Sequence, residues 1–382
     1  MKISILKFLD RSLRFLLTII THFKQRKIGV RSSVPPKRIL VIKMSALGDA
    51  VSLMPSLRFI KAKYPNVKLS WLTTERSSPH LFRPLEFINE IMIMPTNPLL
   101  AVRYIVKNKG YFSDFDLIID FDQYYAISEL ISLFGKISIG FRTGLKGTSF
   151  DYSLNYAPFI NERYHFYELA CLGVNDIPTF QSSCFFELPE LISDYHPSHC
   201  LVSLQKFIQS DNRRVVILYP GSSLNASFRR WSPTRYIQVV KELEDKFLFI
   251  VAGGPDEVEL IQIFRNSLPS ELIWINTLSL QDWLWFFRHN AYLFLGNDGG
   301  LMHLAESQGL PSISIFGPSL FAKWGSINAR SIGIESDEAC RPCIRNYEGI
   351  IPDKCMLGHL RCLDSINSEM VIEKLLDYSK SV

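Results

Sequence analysis

The chain has 382 residues, 47% hydrophobic and 21% charged, with a formal net charge of +5. That length exceeds one ordinary core and predicts two domains, and the composition excludes a disordered or fibrous polypeptide. The charge is lopsided: residues 1–40 hold ten Lys or Arg against the single acid Asp10, leaving 32 basic and 36 acidic residues elsewhere, and a body without basic excess does not call for a nucleic-acid partner.

Residues 1–36 read as a basic amphipathic extension. Ile5, Leu9, Leu13, Leu16, Leu17 and Ile20 recur at helical spacing among the cations. The longest uncharged run, 15–23, is far short of the ~20 residues that cross a bilayer. Asp10, Arg11 and Arg14 interrupt the apolar stretch, so a secretory signal is not expected. Two readings stand. The segment lies on an anionic membrane surface, holding a cytoplasmic protein at the inner face of the membrane, or it packs on the protein's own body.

After Val34-Pro35-Pro36, residues 38–43 read as a buried parallel strand and 49–63 as a helix. Further strands are predicted at 68–73, 116–121 and 137–141, which makes 37–195 an α/β domain. The polar stretch 196–213 reads as a linker. The same rhythm restarts in 214–382, with strands at 215–219, 247–252, 272–275, 292–295 and 312–316 and helices at 233–243 and 256–264. Ligands of such sheets bind outside the carboxyl ends of the strands, and two such domains facing across a cleft is the expected architecture.

Four loops leaving strands carry chemistry. In Lys43-Met44-Ser45-Ala46-Leu47-Gly48-Asp49, the Asp opens a helix and reads either as a general base or as a helix cap. The loop has neither the dinucleotide glycine pattern nor a Walker pattern, so a nicotinamide site or P-loop is not supported. Gly221-Ser222-Ser223 and Arg229-Arg230 offer hydroxyls, backbone N–H groups and guanidinium groups suited to a diphosphate. Gly253-Gly254-Pro255-Asp256-Glu257 places acids where a ribose or base could be held, or where they only complement a helix dipole. Asn297-Asp298-Gly299-Gly300-Leu301-Met302-His303 joins a strand to a helix whose N-terminus suits an anion.

Seven cysteines are present, and no disulfide framework is expected. Cys340 and Cys343 stand in C-x₂-C spacing, with Cys355 and Cys362 following at C-x₆-C. Reduced packing thiols are the favoured reading, and a zinc or cluster ligand set is the alternative. No metal or cofactor is expected to be required.

Together these motifs resemble the family 9 glycosyltransferases, the ADP-heptose:lipopolysaccharide heptosyltransferases and their relatives. The resemblance covers about residues 37–380 and rests on the order and spacing of 42–49, 115–120, 220–222, 230–233, 253–255 and 297–305. It implies a GT-B fold of two Rossmann-like domains, acceptor on the first and nucleotide-sugar on the second. It implies inverting, metal-independent transfer to a glycolipid or oligosaccharide acceptor. Asp49 matches the catalytic aspartate, with Ser45 and Gly48 on the acceptor side. Asp298, Gly299, Gly300 and His303 match the donor-phosphate loop, Glu257 an acid near the donor nucleoside, and Ser222 and Ser223 the diphosphate. Arg229 falls where many members have Lys, so charge is kept but not shape. Ser232 before Pro233 is a second departure. Within the same resemblance, another donor sugar or acceptor, or a non-catalytic sugar-binding scaffold, are the alternatives.

Overall fold

The computed structural model describes residues 34–144, 146–179, 187–350 and 352–381. The predicted helix within residues 1–33, and Cys184, lie outside the described residues. Two units divide the chain. The first comprises Met1–Phe185 and Arg345–Ile350, the second Phe186–Ile344 and Ile351–Val382.

In the first unit, six strands form a sheet: β1 (Arg38–Ile42), β2 (Lys68–Thr73), β3 (Glu90–Ile93), β4 (Leu117–Asp120), β5 (Ser138–Arg142) and β6 (Tyr152–Asn155). All pairings are parallel, in the order β3-β2-β1-β4-β5-β6. Residues 39–42 are wholly buried, as expected of a central strand covered on both faces. Its helices include α1 (Leu47–Lys63), α2 (Pro98–Ser113), α3 (Ala126–Ser132) and α4 (Glu162–Val174).

The second unit repeats the plan. Strands β7 (Arg214–Tyr219), β8 (Phe247–Gly253), β9 (Ile273–Ile275), β10 (Leu293–Asn297), β11 (Ser312–Phe316) and β12 (Ile332–Glu335) run parallel in the order β12-β11-β10-β7-β8-β9. Counted from its own first strand, each sheet has the order 3-2-1-4-5-6 of a doubly wound nucleotide-binding fold. The chain order reverses between β1 and β4 in one unit and between β7 and β10 in the other. Ligand crevices open at such reversals.

Helices α5 (His199–Gln209), α6 (Pro233–Leu243), α7 (Ile261–Arg265), α8 (Leu280–His289), α9 (Gly300–Ser307) and α10 (Ser368–Ser381) complete the labelled elements. Helix α5 lies within the segment 196–213 that composition reads as a linker. Its Leu201, Leu204 and Ile208 are buried, and Ser198 caps it by accepting from Leu201 N at 3.2 Å. The apolar i, i+3, i+7 spacing of those three residues is the helical signal inside a segment that looks polar by composition. The predicted helix at 256–264 is also divided, into a 3₁₀ turn over Pro255–Leu260 followed by α7.

Candidate active site

Where β1 and β4 end side by side, the first unit collects its buried charges. Ile42 pairs with Asp120 in register, so the residues that follow, Lys43 and Asp122, leave the sheet together. Lys43 Nζ lies 3.2 Å from Asp49 Oδ2 and 3.3 Å from Asp122 Oδ1, and donates to Gln123 Oε1 at 2.9 Å. Asp122 Oδ2 accepts from Met44 N at 2.7 Å, which fixes the loop carrying Asp49. Gln123 Nε2 donates to Glu162 Oε1, and Tyr156 OH to Glu162 Oε2, both at 2.7 Å.

Asp49 sits in the first turn of α1, where its Oδ2 accepts from Ala46 N at 3.1 Å. Capping and availability for chemistry therefore coexist in one side chain. Asp49 keeps 18% of its side chain exposed, while Lys43 and Asp122 are sealed. Burial raises the Asp49 pKa, Lys43 lowers it and Glu162 raises it again, leaving it above the usual carboxylate value. Burial works against the Lys43 ammonium, but Asp49, Asp122 and Glu162 outweigh it and hold its pKa above the ordinary one. Deeper in, burial pushes Asp120 up to about 6 although Lys146 Nζ stands 2.6 Å away. Ser45 Oγ is 3.2 Å from Tyr125 OH, and Gly48 is buried in α1.

The switch point of the second unit is built on Asn297, the last residue of β10. Its Oδ1 accepts from Trp231 N and Tyr236 OH at 3.0 Å each, and its Nδ2 donates to Gly221 O at 3.1 Å. One neutral amide thus joins the loop after β7, the start of α6 and the turn before α9. Asp298 does not cap α9. Its carboxylate pairs with Arg229 Nη1 at 3.2 Å and accepts from Ser319 Oγ. Gly299 is the N-cap of α9, with no side chain between solvent and the unsatisfied N–H groups of Gly300 and its neighbours. Arg229 Nε is buried without a hydrogen-bond partner, while a quarter of the Arg229 side chain stays exposed.

Neighbouring Arg230 is used differently. It donates to Ser222 O at 2.7 Å, Ser222 Oγ at 3.3 Å and Asp256 O at 2.9 Å, and pairs with Glu259. Ser222 is buried and donates to Ala226 O, whereas Ser223 is exposed. Glu257 is buried, accepting from Gly254 N at 2.7 Å and Tyr219 OH at 3.2 Å. Burial raises its pKa while the Gly254 N–H and Arg230 lower it, and the net position is above the usual one. His303 lies buried in α9, its Nδ1 3.9 Å from Glu306.

Cys340, Cys343, Cys355 and Cys362 line a cavity of about 10 Å³ together with His359. Burial pushes the Cys362 thiol up to about 11. Among the described residues, no three His, Cys, Asp or Glu side chains are arranged to hold a metal ion.

Sequence reasoning did not reach Lys43 as a partner of Asp49, nor Asp122, Gln123 and Glu162. Asp120-Phe121-Asp122 at the end of a predicted strand was the available signal.

The fold recurs in known proteins. The E. coli ADP-heptose lipopolysaccharide heptosyltransferase II has a TM-score of 0.66 at 17% identity, covering 90% of this chain and 100% of that one. A family 9 glycosyl transferase from Veillonella parvula has a TM-score of 0.69 at 17% identity, covering 91% and 98%. By sequence, lipooligosaccharide heptosyltransferase 2 of Campylobacter jejuni is 26% identical over 175 residues, 44% of this chain and 52% of that protein. The chain thus spans about half the length of the first curated relatives it matches. The two parallel six-stranded sheets are those of the GT-B fold. The family model "Glycosyltransferase family 9 (heptosyltransferase)" matches residues 114–350, more than half of the sequence, and the chain belongs to that family.

Proposed function

We propose that the protein is an inverting glycosyltransferase that moves a heptose from ADP-heptose to a lipopolysaccharide-core or lipid-linked saccharide. The observation that carries this reading is the pairing of an accessible carboxylate, Asp49, with a sealed cationic support, Lys43, at the switch point of the first sheet.

In this reading the acceptor hydroxyl attacks the anomeric carbon from the face opposite the diphosphate, and Asp49 takes its proton. The new glycosidic C–O bond forms as the bond to the phosphate oxygen breaks, and the electron pair leaves with the nucleoside diphosphate. Arg229 and the N–H groups at Gly299–Gly300 stabilise that negative charge, with Ser222 and Ser223 at the neighbouring loop. Glu257 and His303 shape the donor side from beneath, since both are buried. Ser45 and Gly48 line the acceptor side. The basic extension of residues 1–36 holds the protein on anionic lipid at the inner membrane face, where a lipid-linked acceptor would be met.

The test is a donor screen on the full chain, comparing ADP-heptose with other ADP- and UDP-sugars for binding and for transfer to extracted core lipid. Selective transfer from ADP-heptose with inverted anomeric configuration supports the reading. Equal use of another nucleotide-sugar, or retention of configuration, overturns it.

A further inference from the structure

Helix α2 has two faces. Ala101, Ile105 and Phe112 are buried in a cluster with Met92 and Met94. At 100° per residue these fall on one arc, and the opposite arc would ordinarily be polar. Instead, beside Arg103 at its centre, it carries Leu99 and Val106, exposed by 82% and 70%, with Val102 on the flank at 58% and Leu100 at 52% on the far side of Arg103 and Lys107.

The charges on this arc are all of one sign. Arg103, Lys107 and Lys109 are exposed, and the helix contains no acid. On a helical projection Leu99 and Val106 lie within 20° of each other. Lys109 and Val102 border them on one side, Arg103 and Lys107 on the other. An apolar stripe flanked by cations on long stems matches a bilayer surface: the stripe enters the acyl boundary while the stems carry their charges up to the phosphates.

We propose that α2 is a lipid-contact face, seating Leu99, Val102 and Val106 in an anionic bilayer surface with Arg103, Lys107 and Lys109 on the headgroup phosphates. It rests on the reading that the protein works at a membrane, and adds a contact on the folded body to that of the extension. The face belongs to the same unit as Asp49, so it holds the acceptor-side unit itself against the lipid.

The test is co-sedimentation of the full chain with vesicles of phosphatidylcholine alone or with one third phosphatidylglycerol. Wild-type protein should prefer the anionic vesicles. Arg103→Gln with Lys107→Gln should weaken that partition about thirtyfold at low salt, with the difference shrinking at high salt. Leu99→Ser with Val106→Ser should weaken it about tenfold at any salt. Both variants should keep the wild-type melting temperature and ADP affinity, which excludes unfolding as the cause. Wild-type sedimentation of both variants overturns the α2 assignment while leaving the extension as membrane contact. Failure of wild-type protein to bind anionic vesicles overturns both readings. Conversion of a dimer to a monomer by the serine pair, with vesicle binding unaltered, makes the stripe an interface between copies and overturns the proposal.

Discussion

The ammonium of Lys43 stands 3.2 Å from the carboxylate of Asp49, so the candidate base is ion-paired before any substrate arrives. Such a pair holds the carboxylate in place and ionised, at some cost in basicity. If Asp49 is the base, Asp49→Asn should lower transfer by ~10²–10⁴-fold with ADP affinity little changed. Isothermal titration with ADP and a transfer assay on the same preparation check both halves. Wild-type turnover in the variant would refute the assignment.

The same pair sets a pH dependence. The Asp49 pKa lies above the usual carboxylate value, so activity should fall off on the acid side at higher pH than an ordinary aspartate would give. Lys43→Met removes the charge that lowers this pKa. The acid limb of kcat/KM should therefore move further toward neutral pH. The variant should also lose roughly 3–5 kcal/mol of stability, because Asp49 and Asp122 are left without their cation. A pH–rate profile with a parallel urea titration separates the two effects, and an unmoved acid limb would rule out Lys43 as the support of the base.

Adjacent arginines should behave oppositely. Arg229→Ala should weaken ADP and ADP-heptose together by about tenfold to a hundredfold, since a charge-assisted contact to phosphate contributes ~1.5–3 kcal/mol. Arg230→Ala should instead lower the melting temperature, because Ser222 O and Asp256 O lose their donor. If Arg229→Ala affected acceptor binding alone, the phosphate role would fall.

Gly221 is tightly enclosed. A Cβ there would lie 2.3 Å from both Cγ and Oε1 of Glu257. Gly221→Ala should cost ~1–3 kcal/mol as Glu257 is pushed off the Gly254 N–H. Combining it with Glu257→Ala should cost less than the sum of the single changes, in a double-mutant cycle read by urea unfolding. Strict additivity would contradict the contact.

Central strands were readable because burial on both faces makes them continuous apolar runs, as in 39–42 and 247–252. Edge strands β3, β6 and β12 are short and half exposed, and β6 and β12 carry no such run, their apolar residues alternating with polar residues or glycine. The loop at Asp298–Gly300 was readable because strand, turn and helix are local. The cluster at Lys43 was not. Asp122 and Gln123 lie some 80 residues from it, and only the parallel register of β1 with β4 brings them together. The distinct uses of Arg229 and Arg230 likewise depend on which way each guanidinium turns, which spacing does not encode.

Beneath the charged pair Arg229–Asp298, the wholly buried Asn297 holds three segments together through bonds that involve no formal charge. Added salt would screen a phosphate held, as proposed, at the partly exposed guanidinium, but has little hold on a sealed amide. If the loop at Asp298–Gly300 binds the donor as proposed, it should therefore release its nucleotide before it loses its shape. A high-salt wash would recover nucleotide-free protein that is still folded and ready to be reloaded.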